Sequence, residues 1–188
     1  MNLGSLTTIL LLTLFCLPPA AQGALTHDNA TQLAIENQGM AWLEKTCTQE
    51  GTSITPLASD GCSGGLSAGW ELLANSSSLF RQRYGERPPW EACCTAHDHI
   101  YWAGETDNGY QQRQQADQAL RQCVIEQGQQ QAETLSPDLE ISPPEVEQLF
   151  RQAAELMYVA VRLGGGPCSG LPWRWGYGWP QCGMPSSP

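Results

Sequence analysis

Residues 91–104 read EACCTAHDHIYWAG, and this stretch decides how the chain is expected to fold. Two adjacent cysteines stand shortly ahead of a His-Asp pair, a proline pair precedes the stretch, and Gly104 closes it. Proline before a segment and glycine after it are typical of helix boundaries, so the sequence predicts a helix from Trp90 to Ala103.

The predicted helix has one face that carries its chemically active side chains. At about 100° per residue, an arc of roughly 160° contains Cys93, Cys94, His97, Asp98, Ile100 and Tyr101. The opposite side carries Thr95, His99 and Trp102. His97 therefore shares a face with the cysteines, whereas His99 is expected to face solvent.

A following segment, from about Asn108 to Gln127 with a stop at Gly128, is also predicted to be helical. One of its sides carries Ala116, Asp117, Leu120, Cys123 and Val124, and glutamines occupy the other. An acid at the edge of an apolar stripe is either a solvated rim residue or a buried carboxylate that needs a partner. Antiparallel packing of the two helices would give Asp117 such a partner in His97.

The cysteines indicate an oxidising compartment. Residues 1–23 have the apolar run and small-residue cleavage site of a secretory signal peptide, and the run of about 12 apolar residues is too short for a membrane anchor. Of the eight cysteines, Cys16 leaves with this segment, so seven remain. Such a density in a secreted or periplasmic protein predicts disulfides, with one thiol unpaired or in an intermolecular bond.

Adjacent cysteines can each tie a helix to a different element, because a disulfide requires Cα atoms within about 7 Å of each other. We expect Cys93 to pair with Cys123 on the next helix and Cys94 to pair with Cys62 in the glycine-rich loop. A third bond between Cys168 and Cys182 would staple the Trp/Gly/Pro-rich tail, residues 165–188.

The rest of the chain predicts one mainly α domain, residues 24–188. Helices are expected over residues 28–46 and from the SPPE sequence at Ser142 to the glycines that begin at Gly164. The apolar spacing of this last helix is typical of core packing. The formal net charge of −10 makes nucleic acid an improbable partner and gives no general attraction to anionic membranes.

These residues resemble those of the secreted phospholipase A2 family. The active-site helix of that family carries two adjacent cysteines, two residues, His-Asp and then a Tyr three residues on, which matches Cys93, Cys94, His97, Asp98 and Tyr101. Its partner helix carries an Asp six residues before a Cys, which matches Asp117 and Cys123. The family pairs its cysteines as expected above. The resemblance spans roughly residues 58–125.

The chain also departs from the family pattern. A family disulfide is replaced here by Ile100 and Ala116, which would serve as a packed apolar substitute. The family's loop Cys-Gly-x-Gly-Gly reads Cys-Ser-Gly-Gly-Leu from Cys62. The short interval between His97 and Asp117 is closer to the compact bacterial or group XII type. The implied fold is mainly α, with two antiparallel disulfide-linked helices, a glycine-rich calcium loop, additional helices at both ends, and little or no β.

The resemblance implies calcium-dependent hydrolysis of the sn-2 ester of glycerophospholipids at a membrane interface. His97 would be the general base for water, Asp117 would orient it, and Tyr101 would hydrogen-bond Asp117. Ca²⁺ would be held by Asp98 and, by position around the shared cysteine, by the carbonyls of Gly61, Ser63 and Gly65.

Two other hypotheses remain at this stage. The chain could be a non-catalytic module that keeps the scaffold and binds lipid or protein, or Cys93, Cys94, His97 and another cysteine could hold zinc. The tail aromatics also have two interpretations, a lipid-facing surface or a stapled cap over the helices, and the residues concerned are Trp173, Trp175, Tyr177 and Trp179.

Overall fold

The computed structural model describes residues 29–59, 61–62 and 66–183, so the predicted signal peptide lies outside the described residues. The described chain is mainly helical and contains no β-strand. Its helices are α1 (Asn29–Cys47), α2 (Leu66–Ser76), α3 (Ser78–Tyr84), α4 (Glu91–Ala103), α5 (Gly109–Leu139) and α6 (Pro143–Gly164). The mainly α fold class is confirmed.

The described residues divide into two units, with the boundary between Ile35 and Glu36. The described part of the first unit is the beginning of α1, residues 29–35. The second unit contains the rest of α1, all the other helices and the C-terminal segment. None of the helices in the described part of the chain combines the length and apolar character that crossing a membrane requires.

Helix α4 ends where the sequence predicts. Gly104 adopts the left-handed conformation, with φ +61°, and its N–H donates to the carbonyl of Ile100. A Cβ atom at this position would lie 2.1 Å from the Cα of Gly176, so the C-terminal segment crosses the end of the helix in close contact. Glycine is therefore required here both by the backbone angle and by the lack of space.

The sequence predicts that helix α5 stops at Gly128, and this is wrong. The helix continues to Leu139 with Pro137 inside it. A Cβ atom at Gly128 would lie 2.4 Å from the Cβ of Phe150 on α6. Gly128 therefore allows α5 and α6 to approach closely and does not end the helix. The residues between the predicted stop at Gly128 and Leu139 are therefore helical as well.

Helix α6 begins with the predicted capping arrangement, in which the Glu145 carboxylate accepts hydrogen bonds from the backbone N–H and the hydroxyl of Ser142. The core-packing prediction for α6 is confirmed for Val146, Phe150 and Met157, which are buried, whereas Leu149 and Ala160 of the same apolar stripe are exposed. Helix α6 joins α4 and α5 in a hydrophobic cluster made of Cys62, Cys93, Cys94, Leu120, Val124, Ala132, Val146, Phe150, Ala154 and Met157.

Helices α2 and α3 were not predicted, and α2 begins at Leu66, within the segment that was interpreted as a glycine-rich loop. They are short, and Ser77 caps α3 by accepting a hydrogen bond from the N–H of Phe80. The ring of Trp70 on α2 lies edge-on to the rings of Phe80 and Trp90, with centroids 5.0 and 5.9 Å away. This aromatic cluster fixes the two short helices beside the start of α4.

The C-terminal segment caps the other end of α4. The N–H groups of Gly176 and Gly178 donate to the carbonyls of Tyr101 and Trp102, at 2.7 and 3.1 Å. The indole N–H of Trp179 donates to the carbonyl of Ala103 at 2.8 Å. Three carbonyls that the helix itself leaves without partners are therefore satisfied by the tail.

Candidate active site

Helices α4 and α5 face each other through a disulfide and a set of polar contacts. Cys93 is bonded to Cys123 one turn before His97. His97 then meets Asp117, and Tyr101, one turn further on, meets Arg113. The helix spacing thus places the three side chains of one α4 face opposite three side chains of α5.

His97 and Asp117 are buried and hydrogen-bonded, with Nε2 2.9 Å from Oδ1. The hydroxyl of Tyr101 donates to the same Oδ1 at 2.6 Å. A carboxylate that also pairs with two guanidinium groups accepts hydrogen bonds only, so Nε2 carries the imidazole proton and donates it. Nδ1 is then the basic nitrogen, and no other described residue forms a hydrogen bond with it.

The second oxygen of Asp117 is held by two arginines that sequence reasoning did not assign to the site. Arg162 Nη1 donates to Oδ2 at 2.8 Å, and Arg113 Nη1 donates to it at 3.3 Å. Both arginines also bind the buried carboxylate of Glu36 on α1. The spacing of Arg113 and Asp117, four residues apart in one helix, was a signal that could have found the first of these contacts.

This buried cluster is balanced in charge. It contains two carboxylates, Asp117 and Glu36, and two guanidinium groups, Arg113 and Arg162, and Asp117 and Arg113 are fully buried. Buried charges are tolerated only when they are paired and hydrogen-bonded, because desolvation of each ion costs several kcal/mol. We name these four residues the buried ion cluster.

Burial and the charges of the cluster shift the pKa values of Tyr101 and Arg113. Burial, followed by the charge of Asp117, raises the pKa of Tyr101 well above its ordinary value. Burial lowers the pKa of Arg113, but Tyr101, Asp117 and Glu36 outweigh this effect and raise it overall. Tyr101 is therefore a neutral hydrogen-bond donor and Arg113 a permanent cation.

Asp98 lies next to the predicted loop. It is buried, and one of its oxygens, Oδ2, accepts a hydrogen bond of 2.6 Å from the hydroxyl of Ser59. The same Ser59 oxygen accepts from the N–H of Gly61, at 3.2 Å. The bond between Cys62 and Cys94 fastens the loop to α4, one turn before Asp98.

The residues present suit a hard cation that prefers oxygen ligands, although the loop is described only in part. Gly61 and Asp98 are within the described residues, and both are linked to Ser59. The predicted ligands Ser63 and Gly65 lie outside the described residues. The described residues contain no group of three or more acidic, histidine or cysteine side chains that could hold a metal. A calcium site made of one carboxylate and several backbone carbonyls would not form such a group.

The other residues of the predicted α4 face behave as expected, with one exception. His99 is exposed, whereas Cys93, Cys94, His97, Asp98 and Tyr101 are buried. Ile100 is 45% exposed, while Ala116 is buried in a separate cluster around Tyr101. The expectation that Ile100 and Ala116 form a packed substitute for a family disulfide stays a prediction.

The structure contains the three expected disulfides, Cys62–Cys94, Cys93–Cys123 and Cys168–Cys182. They remove the zinc hypothesis, because Cys93 and Cys94 are not available as thiolate ligands. Cys47 is the one free cysteine of the described residues. Burial raises the pKa of its thiol.

The tail aromatics take part in the cap described above. Trp175 is fully buried, and its ring packs edge-on against Tyr101 at 5.1 Å. The hydroxyl of Tyr177 donates to the carbonyl of Ala58, next to Ser59. Trp175 is thus unavailable to a lipid surface, and the cap interpretation accounts for the positions of Trp175, Tyr177 and Trp179.

Comparisons with protein-family models, with curated proteins and with solved structures gave no match to this chain. A functional assignment therefore depends on the chemistry of the residues described above.

Proposed function

We propose that this protein is a secreted or periplasmic calcium-dependent phospholipase A2 that hydrolyses the sn-2 ester of glycerophospholipids to a fatty acid and a lysophospholipid. The single observation that carries the proposal is the buried hydrogen bond between His97 Nε2 and Asp117 Oδ1. It leaves Nδ1 as a base on a scaffold whose disulfides and helix faces are those that the family resemblance implies.

The order of the contacts supports this scaffold. Along α4, the residues Cys93, His97 and Tyr101 meet Cys123, Asp117 and Arg113 in descending order along α5. Such an order is typical of an antiparallel pair, which is the arrangement of the catalytic helices in the proposed class. The bond between Cys62 and Cys94 supports the assignment of the glycine-rich segment as the calcium loop.

In the proposed reaction, Nδ1 of His97 removes a proton from a water molecule, and the water oxygen attacks the ester carbonyl carbon. The resulting imidazolium is stabilised by Asp117, and it returns the proton to the leaving alkoxide when the carbon–oxygen bond breaks. General base catalysis of this kind contributes about 10² to 10⁴-fold to the rate. Water is the nucleophile, so the step requires neither a serine nor a thiol.

Asp98 and the carbonyls of Gly61, Ser63 and Gly65 would hold the calcium ion. Its chemistry when bound is to provide positive charge for the oxygen that becomes an oxyanion. Ser59 would orient Asp98, because its hydroxyl already donates to one carboxylate oxygen.

The test combines calcium binding with hydrolysis. We expect calorimetry to detect Ca²⁺ binding to the wild type, and Asp98→Asn to weaken it at least tenfold while the unfolding midpoint in denaturant stays the same. Asp107→Asn is the matched control, since Asp107 is exposed and lies in the turn after α4. Fatty-acid release from phosphatidylcholine and phosphatidylglycerol vesicles should require Ca²⁺ and stop with chelator.

The rival function is a non-catalytic lipid-binding or protein-binding module on the same scaffold. It would bind Ca²⁺ or vesicles without releasing fatty acid. This outcome, in a folded protein with its three disulfides formed, would overturn the enzymatic proposal.

A further inference from the structure

The buried ion cluster joins three helices behind the candidate base. Arg162 projects from the last turn of α6 and reaches two acids at once, Asp117 on α5 at 2.8 Å and Glu36 on α1 at 2.6 Å. A guanidinium group can do this because its donors form a planar fork. Arg162 therefore links Asp117, the acid of the His97–Asp117 dyad, to Glu36, a second acid remote in sequence.

Arg113 strengthens the link between Glu36 and Asp117 through further contacts. Its Nε and Nη2 atoms donate to the two oxygens of Glu36, at 3.1 and 2.9 Å. Its Nη1 and Nη2 atoms also donate to the carbonyls of Val161 and Arg162, at 2.9 and 3.0 Å. Arg113 thus fixes the end of α6 from which the Arg162 side chain extends.

Asp117 is consequently held along both edges of its carboxylate. His97 and Tyr101 occupy Oδ1, and the two arginines occupy Oδ2. Rotation of the carboxylate would break a contact on each edge. The direction of the Asp117 oxygen toward His97 is therefore coupled to the position of Arg162.

We propose that Glu36, Arg113 and Arg162 are positioning residues of the candidate site, and that Arg162 fixes the Asp117 carboxylate in the orientation that aligns His97. The inference rests on the proposed function for its catalytic consequence. Its structural content, the alignment of His97 by Arg162, is separate from the chemistry. A misplacement of about 1 Å at a reacting group lowers a rate by about 10²-fold.

A structural role and a positioning role can be separated through the charge balance of the cluster. Arg162→Met leaves two acids with one arginine, so it should lower both stability and kcat. Glu36→Gln combined with Arg162→Met leaves one acid, Asp117, with one arginine, Arg113, and restores the balance. If Arg162 positions Asp117, the double variant should regain stability without regaining activity.

The experiment measures kcat, KM and the urea unfolding midpoint for the wild type, Arg162→Met, the double variant and a control. The control is Arg151→Met on the same helix, because Arg151 is exposed and its ion pair among the described residues is with Glu147. We expect Arg162→Met to lower kcat about 10²-fold with KM within twofold of the wild type. The double variant should unfold near the wild-type midpoint with kcat still low, and the control should resemble the wild type.

A second readout does not depend on hydrolysis. The Nε2 proton of His97, hydrogen-bonded to Asp117, should give a downfield NMR resonance that shifts or disappears in folded Arg162→Met and is unchanged in Arg151→Met. This shift in a protein without esterase activity would support the positioning role and reject the proposed function. Recovery of kcat together with stability in the double variant, or an unchanged resonance in Arg162→Met, would overturn the inference.

Discussion

Tyr101 and Asp117 are joined by a buried hydrogen bond of 2.6 Å, in which the phenol donates to the carboxylate oxygen that also faces His97. The same phenol oxygen accepts from Arg113 at 2.9 Å. Tyr101 is thus the point where the candidate dyad meets the buried ion cluster. Removal of the Tyr101 hydroxyl should therefore lower both the free energy of unfolding and the activity.

Tyr101→Phe should lower the free energy of unfolding by about 1.5–3 kcal/mol, the range for a hydrogen bond to a charged group. Activity should fall less than in a His97 variant, because Asp117 keeps its bond to His97. Urea unfolding with intact disulfides measures the stability. Tyr158→Phe is the control, since Tyr158 is half-buried outside the site, and an equal loss in both variants would contradict this account.

Stability should decline at alkaline pH. The pKa of Tyr101 in the folded state is raised above its ordinary value of 10.0, chiefly by burial. The contribution of this group is therefore complete below pH 10 and is lost as the pH rises, because only the unfolded state then releases the proton. Each such proton lowers the free energy of unfolding by about 1.4 kcal/mol per pH unit.

Urea unfolding between pH 8 and pH 11 checks this sign. The measurement is best made with Cys47→Ser, because the thiol of Cys47, whose pKa is also raised, would contribute to the slope and could exchange with disulfides. Adding Tyr101→Phe should make the decline above pH 10 shallower. An unchanged slope would show that Tyr101 has the same pKa in both states.

The bond between Cys168 and Cys182 should stabilise the cap on α4. It closes a segment with a sequence separation of 14 residues, for which chain entropy predicts about 3 kcal/mol. Replacing both cysteines by serine should lower the free energy of unfolding by about that amount and reduce fatty-acid release, because the segment holds the end of α4 and the carbonyl of Ala58. Cys47→Ser should change neither the free energy of unfolding nor fatty-acid release. If the double serine variant also changed neither quantity, the cap role would be contradicted.

The sequence was sufficient to predict elements whose determinants are local. Gly104 ends α4 and Ser142 caps α6, since both signals act within a few residues. The Cys93–Cys123 bond and the His97–Asp117 contact followed from helix faces and spacing. By contrast, the predicted length of α5 was too short, because Gly128 was interpreted as a helix end. This glycine is required by its close contact with Phe150 on another helix, which the local sequence does not reveal.

The buried ion cluster could not be predicted from the sequence as a whole. Glu36 and Arg162 are separated by 126 positions, and each looks like an ordinary helix-surface charge in its own segment. Only the packing of α1, α5 and α6 removes them from water and brings them together. The local spacing of Arg113 and Asp117 was the one signal available, and it does not reveal the third and fourth members.

The central claim is that His97 is the base for ester hydrolysis, and the two histidines of α4 provide a matched test. His97 is buried against Asp117, whereas His99, two residues later, is exposed. Fatty-acid release from mixed phosphatidylcholine and phosphatidylglycerol vesicles in Ca²⁺ should fall at least about 10²-fold in His97→Gln and stay at the wild-type level in His99→Gln. Equal rates in folded His97→Gln and wild-type protein, or no release by the wild type, would contradict the account.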